Sequence, residues 1–295
     1  MTEPELRFVT CASTGGLHRM AYWQWGGDDR RKPVVVCVHG LTRNGRDFDT
    51  LGAHLASRYR IVCPDVAGRG RSDRLPDPRL YTPLQYVADC VTLIARLDEE
   101  RIAWLGTSMG GLMGMALASM PGNAIRTLIL NDVGPVVDPK GLARIADYVG
   151  ADPRFPSFEA AEQALRMLML DFGPHTDAQF RLLSQHFLVR IGDEWGFAYD
   201  PAIAVPFRET KEVPEMWPYY ERIACPTLVI RGEQSDILPL EVAESMAARG
   251  PKARVISFAG VGHAPTLIAD DQIAAVATFL DRNADAFAPR ALGTG

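Results

Sequence analysis

The sequence predicts an α/β protein: a mostly parallel sheet with helices on both faces and a helical cap inserted late in the chain. Three observations predict it. Short apolar runs rich in β-branched residues recur along the 295 residues, stretches with helical spacing separate them, and one long interval breaks the alternation. Parallel strands cannot be joined by tight turns, so strand–helix–strand repetition places the helices over the sheet faces.

Two runs at 7–12 and 19–25, divided by Gly15-Gly16, read as an antiparallel hairpin at one edge. Pro33 is followed by Val34-Val35-Val36-Cys37-Val38, a continuous apolar run that leaves no face for solvent and so reads as a strand buried on both sides. Similar runs follow at 59–63, 102–105, 125–130, 227–230 and 254–258, with helical spacing over 84–97, 112–120, 240–248 and 272–280. Between Asn131-Asp132 and Thr227 no run resembles a buried strand. Helix-like stretches at 142–148, 158–170 and 178–191 lie there, punctuated by Pro and Gly. Intervals this long inside compact domains are usually functional. Residues 136–215 therefore read as a mostly helical lid, between core segments 1–135 and 216–295, with 289–295 expected to be a frayed tail.

Composition bounds the function. With 31 Lys plus Arg against 36 Asp plus Glu the net charge is −5, and 47% of residues are hydrophobic. Mild acidity argues against nucleic acid as a partner, and no run approaches the roughly 18–20 apolar residues that span a bilayer. The first ten residues carry Glu3 and Glu5 and lack an apolar run, unlike a secretory signal. The five cysteines are scattered, with no CxxC pair, and the six histidines show no HExxH spacing. The cysteines read as small buried hydrophobes in a reducing cytoplasm, and no metal is expected.

The strongest chemical signal is Gly106-Thr107-Ser108-Met109-Gly110, which follows one strand-like run and opens a helical one. A serine on a sharp strand-to-helix turn stands clear of the sheet beside a helix N-terminus, where negative charge is favoured. His39-Gly40-Leu41 closes the Val-rich strand, so the amides of Leu41 and Met109 are candidates for an oxyanion hole. His39 itself reads as a structural histidine. A nucleophilic serine needs a base, and the base an orienting carboxylate. His263, in Gly260-Val261-Gly262-His263, and Asp236, in Gly232-Glu233-Gln234-Ser235-Asp236, lie in loops leaving successive strands at the edge where Ser108 emerges. The order Ser108, Asp236, His263 favours Asp236 as the acid, and Asp132, at the end of the preceding strand, is the alternative. His18, His54, His175 and His186 read as surface or lid residues. Gly68-Arg69-Gly70 lacks the third glycine of a dinucleotide loop and reads as a turn beside the pocket.

These motifs, together with Asp65-Val66-Ala67-Gly68-Arg69-Gly70-Arg71-Ser72-Asp73, resemble the α/β-hydrolase fold superfamily over nearly the whole chain, in the subset with a helical cap. The resemblance implies an eight-stranded, mostly parallel sheet, no organic cofactor, and a Ser-His-acid triad carried here onto Ser108, His263 and Asp236. It implies hydrolysis of a small-molecule carboxylic ester, thioester or lactone through an acyl-enzyme on Ser108, and leaves open whether the protein is a monomer or homodimer. Carbon–carbon hydrolases of ring-cleavage products share the cap position and Ser108-Met109-Gly110-Gly111, but many carry Trp after the catalytic histidine where this chain has Ala264. A hydrolase-shaped ligand-binding protein without turnover is the remaining alternative. Apolar lid residues such as Leu165, Met169, Phe172 and Phe180 either line an acyl pocket or hold the lid together.

Overall fold

The computed structural model describes residues 3–209 and 214–289. Eight strands form one sheet: β1 (Glu5–Ser13), β2 (Gly16–Trp25), β3 (Val34–Val38), β4 (Arg60–Pro64), β5 (Ile102–Thr107), β6 (Ile125–Asn131), β9 (Thr227–Gly232) and β10 (Arg254–Phe258). Their spatial order is β1-β2-β4-β3-β5-β6-β9-β10. β1 and β2 pair antiparallel as the edge hairpin and β2 joins β4 antiparallel, while all pairs from β4 to β10 are parallel. The predicted eight-stranded, mostly parallel sheet is thus present.

Burial follows the reading of the Val-rich strand. Every residue of β3 is buried, with Val34, Val36 and Val38 on one face and Val35 and Cys37 on the other. Each such side chain contributes about 1.5–3 kcal/mol by leaving water. The first face packs on α2 (Pro83–Leu97) and α3 (Met109–Ala118), the second on α1 (Asp49–Leu55) and α10 (Asp270–Arg282). Helix α9 (Leu240–Ala248) links β9 to β10. Local chemistry sets the helix ends: Thr82 caps α2 by accepting from the Gln85 amide, with Pro83 at the first turn. Helix α3 is apolar all round and almost wholly buried, as a central helix must be.

The chain leaves the sheet after Asn131 and returns at Thr227. The intervening segment holds α4 (Pro139–Tyr148), α5 (Phe158–Leu168), α6 (Asp177–Ser184), β7 (Leu188–Ile191), β8 (Glu194–Phe197), α7 (Ala204–Glu209) and α8 (Trp217–Tyr220). The helix expected over 178–191 ends at Ser184 instead. Residues 188–191, Leu-Val-Arg-Ile, pair with β8 across a Gly192 turn at φ +63°, making a small hairpin apart from the main sheet. Phe187, Phe197 and Tyr199 stack at its base, with centroids 4.9–6.3 Å apart. Apart from Pro289, the expected tail lies outside the described residues.

Among the described residues no helix is long and apolar enough to cross a membrane.

Candidate active site

The serine turn is built by glycines. A side chain on Gly106 would meet the Gly110 carbonyl at 2.2 Å, and one on Gly110 would meet the Val38 carbonyl at the same distance. Only bare backbone lets β5, α3 and β3 approach this closely. Ser108 sits between them at φ +52°, ψ −116°, a conformation that costs a non-glycine residue about 1–3 kcal/mol. Its amide donates to the Asn131 carbonyl at 3.0 Å, which holds the turn in place.

His263 arrives from the loop after β10, and its Nε2 lies 2.9 Å from Ser108 Oγ. Its Nδ1 lies 2.7 Å from Asp132 Oδ2. A carboxylate only accepts, so Nδ1 carries the proton and Nε2 is free to accept from the serine hydroxyl. Asp132 is fully buried, and three further hydrogen bonds fix it. Its amide donates to the Ile230 carbonyl at 2.7 Å, Oδ1 accepts from the Gly232 amide at 2.8 Å, and Oδ2 accepts from Ser235 Oγ at 2.6 Å. Asn131 ties the neighbouring loops together, its Nδ2 donating to Thr107 Oγ1 and to the Pro265 carbonyl.

Ser108 and His263 therefore meet, but Asp236 does not join them. Its carboxylate takes two hydrogen bonds from Arg144 of α4, at 2.6 and 2.8 Å. That guanidinium holds the Asp236 carboxyl below the usual carboxylate range. Asp132 occupies the place expected for Asp236. The sequence signal for it was Asn131-Asp132 at a strand end, next to the exit into the inserted segment.

Leu41 lines a cavity of about 80 Å³ together with Gly40, Ser108 and His263, and Met109 is the first residue of α3. Tyr148, Met169, Phe172 and Leu183 of the inserted segment close the cavity with apolar surface. His39 acts as a clip, as expected. Its Nδ1–H donates to the Gly40 carbonyl at 2.6 Å, and its Nε2 accepts from the Val66 amide at 3.0 Å. Complete burial pushes its pKa down to about 3, with Arg69 and Arg43 adding like-charge repulsion. Asp65, in the same loop system, accepts from the Gly45 and Arg71 amides and from Trp23, and burial pushes it up to about 6.

Other groups expected at the surface or in the core are placed as follows. His54 is exposed, while His175 and His186 are half-buried in the inserted segment. His18 is a correction: it is buried beneath α2, its Nε2 2.9 Å from Asp89 Oδ2, because the edge hairpin turns that face inward. Cys11 lies beside this pair, and Gln85 donates to Asp89 Oδ1, so hydrogen bonds already join the cluster. Cys37, Cys63 and Cys90 are fully buried, and Cys225 is half-buried.

Residues 35–279 match a sequence model described as the alpha/beta hydrolase family. The chain is 49% identical over 288 residues to a 3-hydroxybutyrate-oligomer hydrolase of Cupriavidus necator, covering 94% of this chain and 97% of that protein. It is 29% identical to a pimeloyl-[acyl-carrier protein] methyl ester esterase of Xanthomonas oryzae pv. oryzae, over 82% of this chain and 92% of the relative. A crystal structure of an alpha/beta hydrolase from Novosphingobium aromaticivorans superposes with a TM-score of 0.86 at 40% identity, covering 96% of this chain and 99% of that one.

Proposed function

The chain belongs to the α/β-hydrolase family and is a hydrolase, and from that premise we propose that it cleaves carboxylic esters of short hydroxyacids, 3-hydroxybutyrate oligomers foremost, through an acyl-enzyme on Ser108. The observation that carries this reading is the continuous chain of hydrogen bonds from Ser108 Oγ to His263 and on to Asp132, at 2.9 and 2.7 Å, opening onto a small apolar cavity.

Ser108 Oγ attacks the ester carbonyl carbon while His263 Nε2 takes its proton. The amides of Leu41 and Met109 receive the carbonyl oxygen as it becomes negative. Collapse breaks the carbon–oxygen bond, and the imidazolium gives its proton to the departing alkoxide, which leaves as a hydroxyl group. Water, deprotonated by His263, then attacks the acyl-Ser108 ester and releases the acid. Asp132 keeps the imidazole in the working tautomer and stabilises its cationic form. Residues 136–215 act as the cap. Tyr148, Met169, Phe172 and Leu183 exclude water around the acyl group, and the small cavity suits a four-carbon hydroxyacyl unit. The 49% identity to the 3-hydroxybutyrate-oligomer hydrolase supports this choice of substrate.

The test is hydrolysis of 3-hydroxybutyrate dimer and trimer and of short p-nitrophenyl esters, with fluorophosphonate labelling. Turnover and a label on Ser108, both lost in Ser108→Ala, are the expected result. Ligand retention without product would identify a binding protein instead, and cleavage restricted to vinylogous 1,5-diketones a carbon–carbon hydrolase.

A further inference from the structure

We infer that Arg69 is a positioning residue of this site: its guanidinium fixes the Leu41 end of the oxyanion hole and sets a positive charge behind it. This rests on the ester-cleaving role proposed for Ser108.

Arg69 is 1% exposed, yet no carboxylate among the described residues pairs with it. Its Nε donates to the Leu41 carbonyl at 2.9 Å and one terminal nitrogen to the Ala67 carbonyl at 2.7 Å. The other terminal nitrogen lies 4.0 Å from Met109 Sδ, and the guanidinium carbon stands 4.7 Å from the centre of the Tyr86 ring. The Asp200 carboxylate accepts from the Tyr81 hydroxyl at 2.7 Å, and the Tyr81 ring lies 5.9 Å from the guanidinium carbon. Burying a cation without an anion is costly. Here the cation touches both residues whose amides we assign to the oxyanion, through the Leu41 carbonyl and Met109 Sδ, so negative charge developing at those amides is drawn toward it.

Geometry reinforces this. The Gly40 carbonyl is held by His39, so the Leu41 N–H, on the opposite side of that trans peptide, points away from His39. The next carbonyl, that of Leu41, is held by Arg69. Both peptide planes flanking Leu41 are thereby fixed before substrate arrives, as preorganised donors require. The guanidinium is not what fastens its own loop to the inserted segment. Backbone bonds do that: Gly70 N–H donates to the Ala198 carbonyl at 2.8 Å, and Asp200 N–H to the Gly68 carbonyl at 2.7 Å. Substituting the side chain leaves those bonds in place.

Arg69→Gln and Arg69→Lys are compared with wild type for ester turnover and for affinity to a phenylboronic acid, which forms an anionic tetrahedral adduct on a serine hydroxyl. For Arg69→Gln we expect kcat to fall by about 10²- to 10³-fold, the scale of losing one oxyanion donor. KM should hardly change, boronate affinity should fall in step with kcat, and Arg69→Lys should lie between. Added guanidinium should restore part of kcat to Arg69→Ala. A loss carried by KM, or unchanged boronate affinity beside reduced kcat, overturns the inference. If the Gln variant does not fold, the Lys variant carries the same comparison, and a Lys variant with wild-type kcat and boronate affinity overturns the fixing of Leu41. A wild-type protein that binds boronate at Ser108 but cleaves no ester counts against the ester reading alone. The Arg69 comparison then stands on boronate affinity.

Discussion

Arg144 grips Asp236 through two parallel hydrogen bonds, at 2.6 and 2.8 Å, and so ties the first helix of the inserted segment to the loop after β9. The pair engages the carboxylate that chain order favours as the partner of His263. Both members are about one-third exposed, so solvent screening limits the pair to less than about 1 kcal/mol of stability.

Asp132→Asn should therefore lower kcat by about 10⁴-fold, because an amide facing Nδ1 permits the wrong imidazole tautomer. Asp236→Asn should leave kcat within a few-fold of wild type. Steady-state kinetics on a short ester, with circular dichroism to verify folding, checks both. The reverse ranking would return the acid role to Asp236.

Gly110→Ala should destabilise the fold by at least about 2–3 kcal/mol and abolish turnover. The added methyl group would meet the Val38 carbonyl at 2.2 Å, and backbone cannot rotate aside as a side chain can. Urea unfolding monitored by tryptophan fluorescence measures the loss. A midpoint equal to wild type would mean that β3 and α3 are less tightly apposed than the geometry requires.

The sheet was legible because its strands are local statements. Val34 to Val38 leaves no polar face, and 254–258 and 240–248 coincide with β10 and α9. Ser108 and His263 were legible because their glycine-rich turns are needed wherever such turns occur. The carboxylate that meets His263 was not, because Asp132 and Asp236 both lie beyond the ends of parallel strands. What separates them is tertiary: Asp132 turns inward at φ +56° and is fixed by Gly232 and Ser235, while Arg144, arriving from the inserted segment, captures Asp236. Helix α1 escaped notice because Gly52 and His54 weaken its pattern. Gly52 is needed where a side chain would strike Trp25 at 2.9 Å, a contact from another element. The hairpin β7–β8 has only four residues per strand and exposes Val189 and Arg190, too little for alternation to register.

His39 and Asp65 should oppose each other in acid. His39, pushed down to about 3, stays neutral when folded but binds a proton when unfolded below its ordinary 6.5. Its stabilisation is full above that value and is lost as pH falls toward 3. Asp65, pushed up to about 6 from 3.8, does the reverse: it holds a proton in the fold that the unfolded chain has released, so it favours the fold as pH falls from 6 to 4. The two slopes, each about 1.4 kcal/mol per pH unit, nearly cancel over that window. In His39→Asn only the Asp65 slope remains, so the stability deficit of this variant relative to wild type should shrink between pH 6.5 and 4. Urea midpoints at pH 7, 5.5 and 4.5 measure it, and a deficit independent of pH would show that His39 titrates normally in the fold.

Acyl length should be governed by the residues that crowd the cavity. Leu183 is 5% exposed and faces the space shared with Ser108, and its carbonyl anchors Arg43 through the backbone at 2.9 Å. Leu183→Ala keeps that anchor and removes three carbons from the wall. The cost is about 2–5 kcal/mol of stability, so the variant is assayed well below its melting temperature. Each methylene that a hydrophobic pocket accepts or refuses changes kcat/KM by about 10- to 200-fold. The ratio of hexanoyl to butyryl ester turnover should therefore rise by at least about 10-fold in the variant. A loss shared equally by all chain lengths would mean that Leu183 supports the inserted segment without bounding the acyl group.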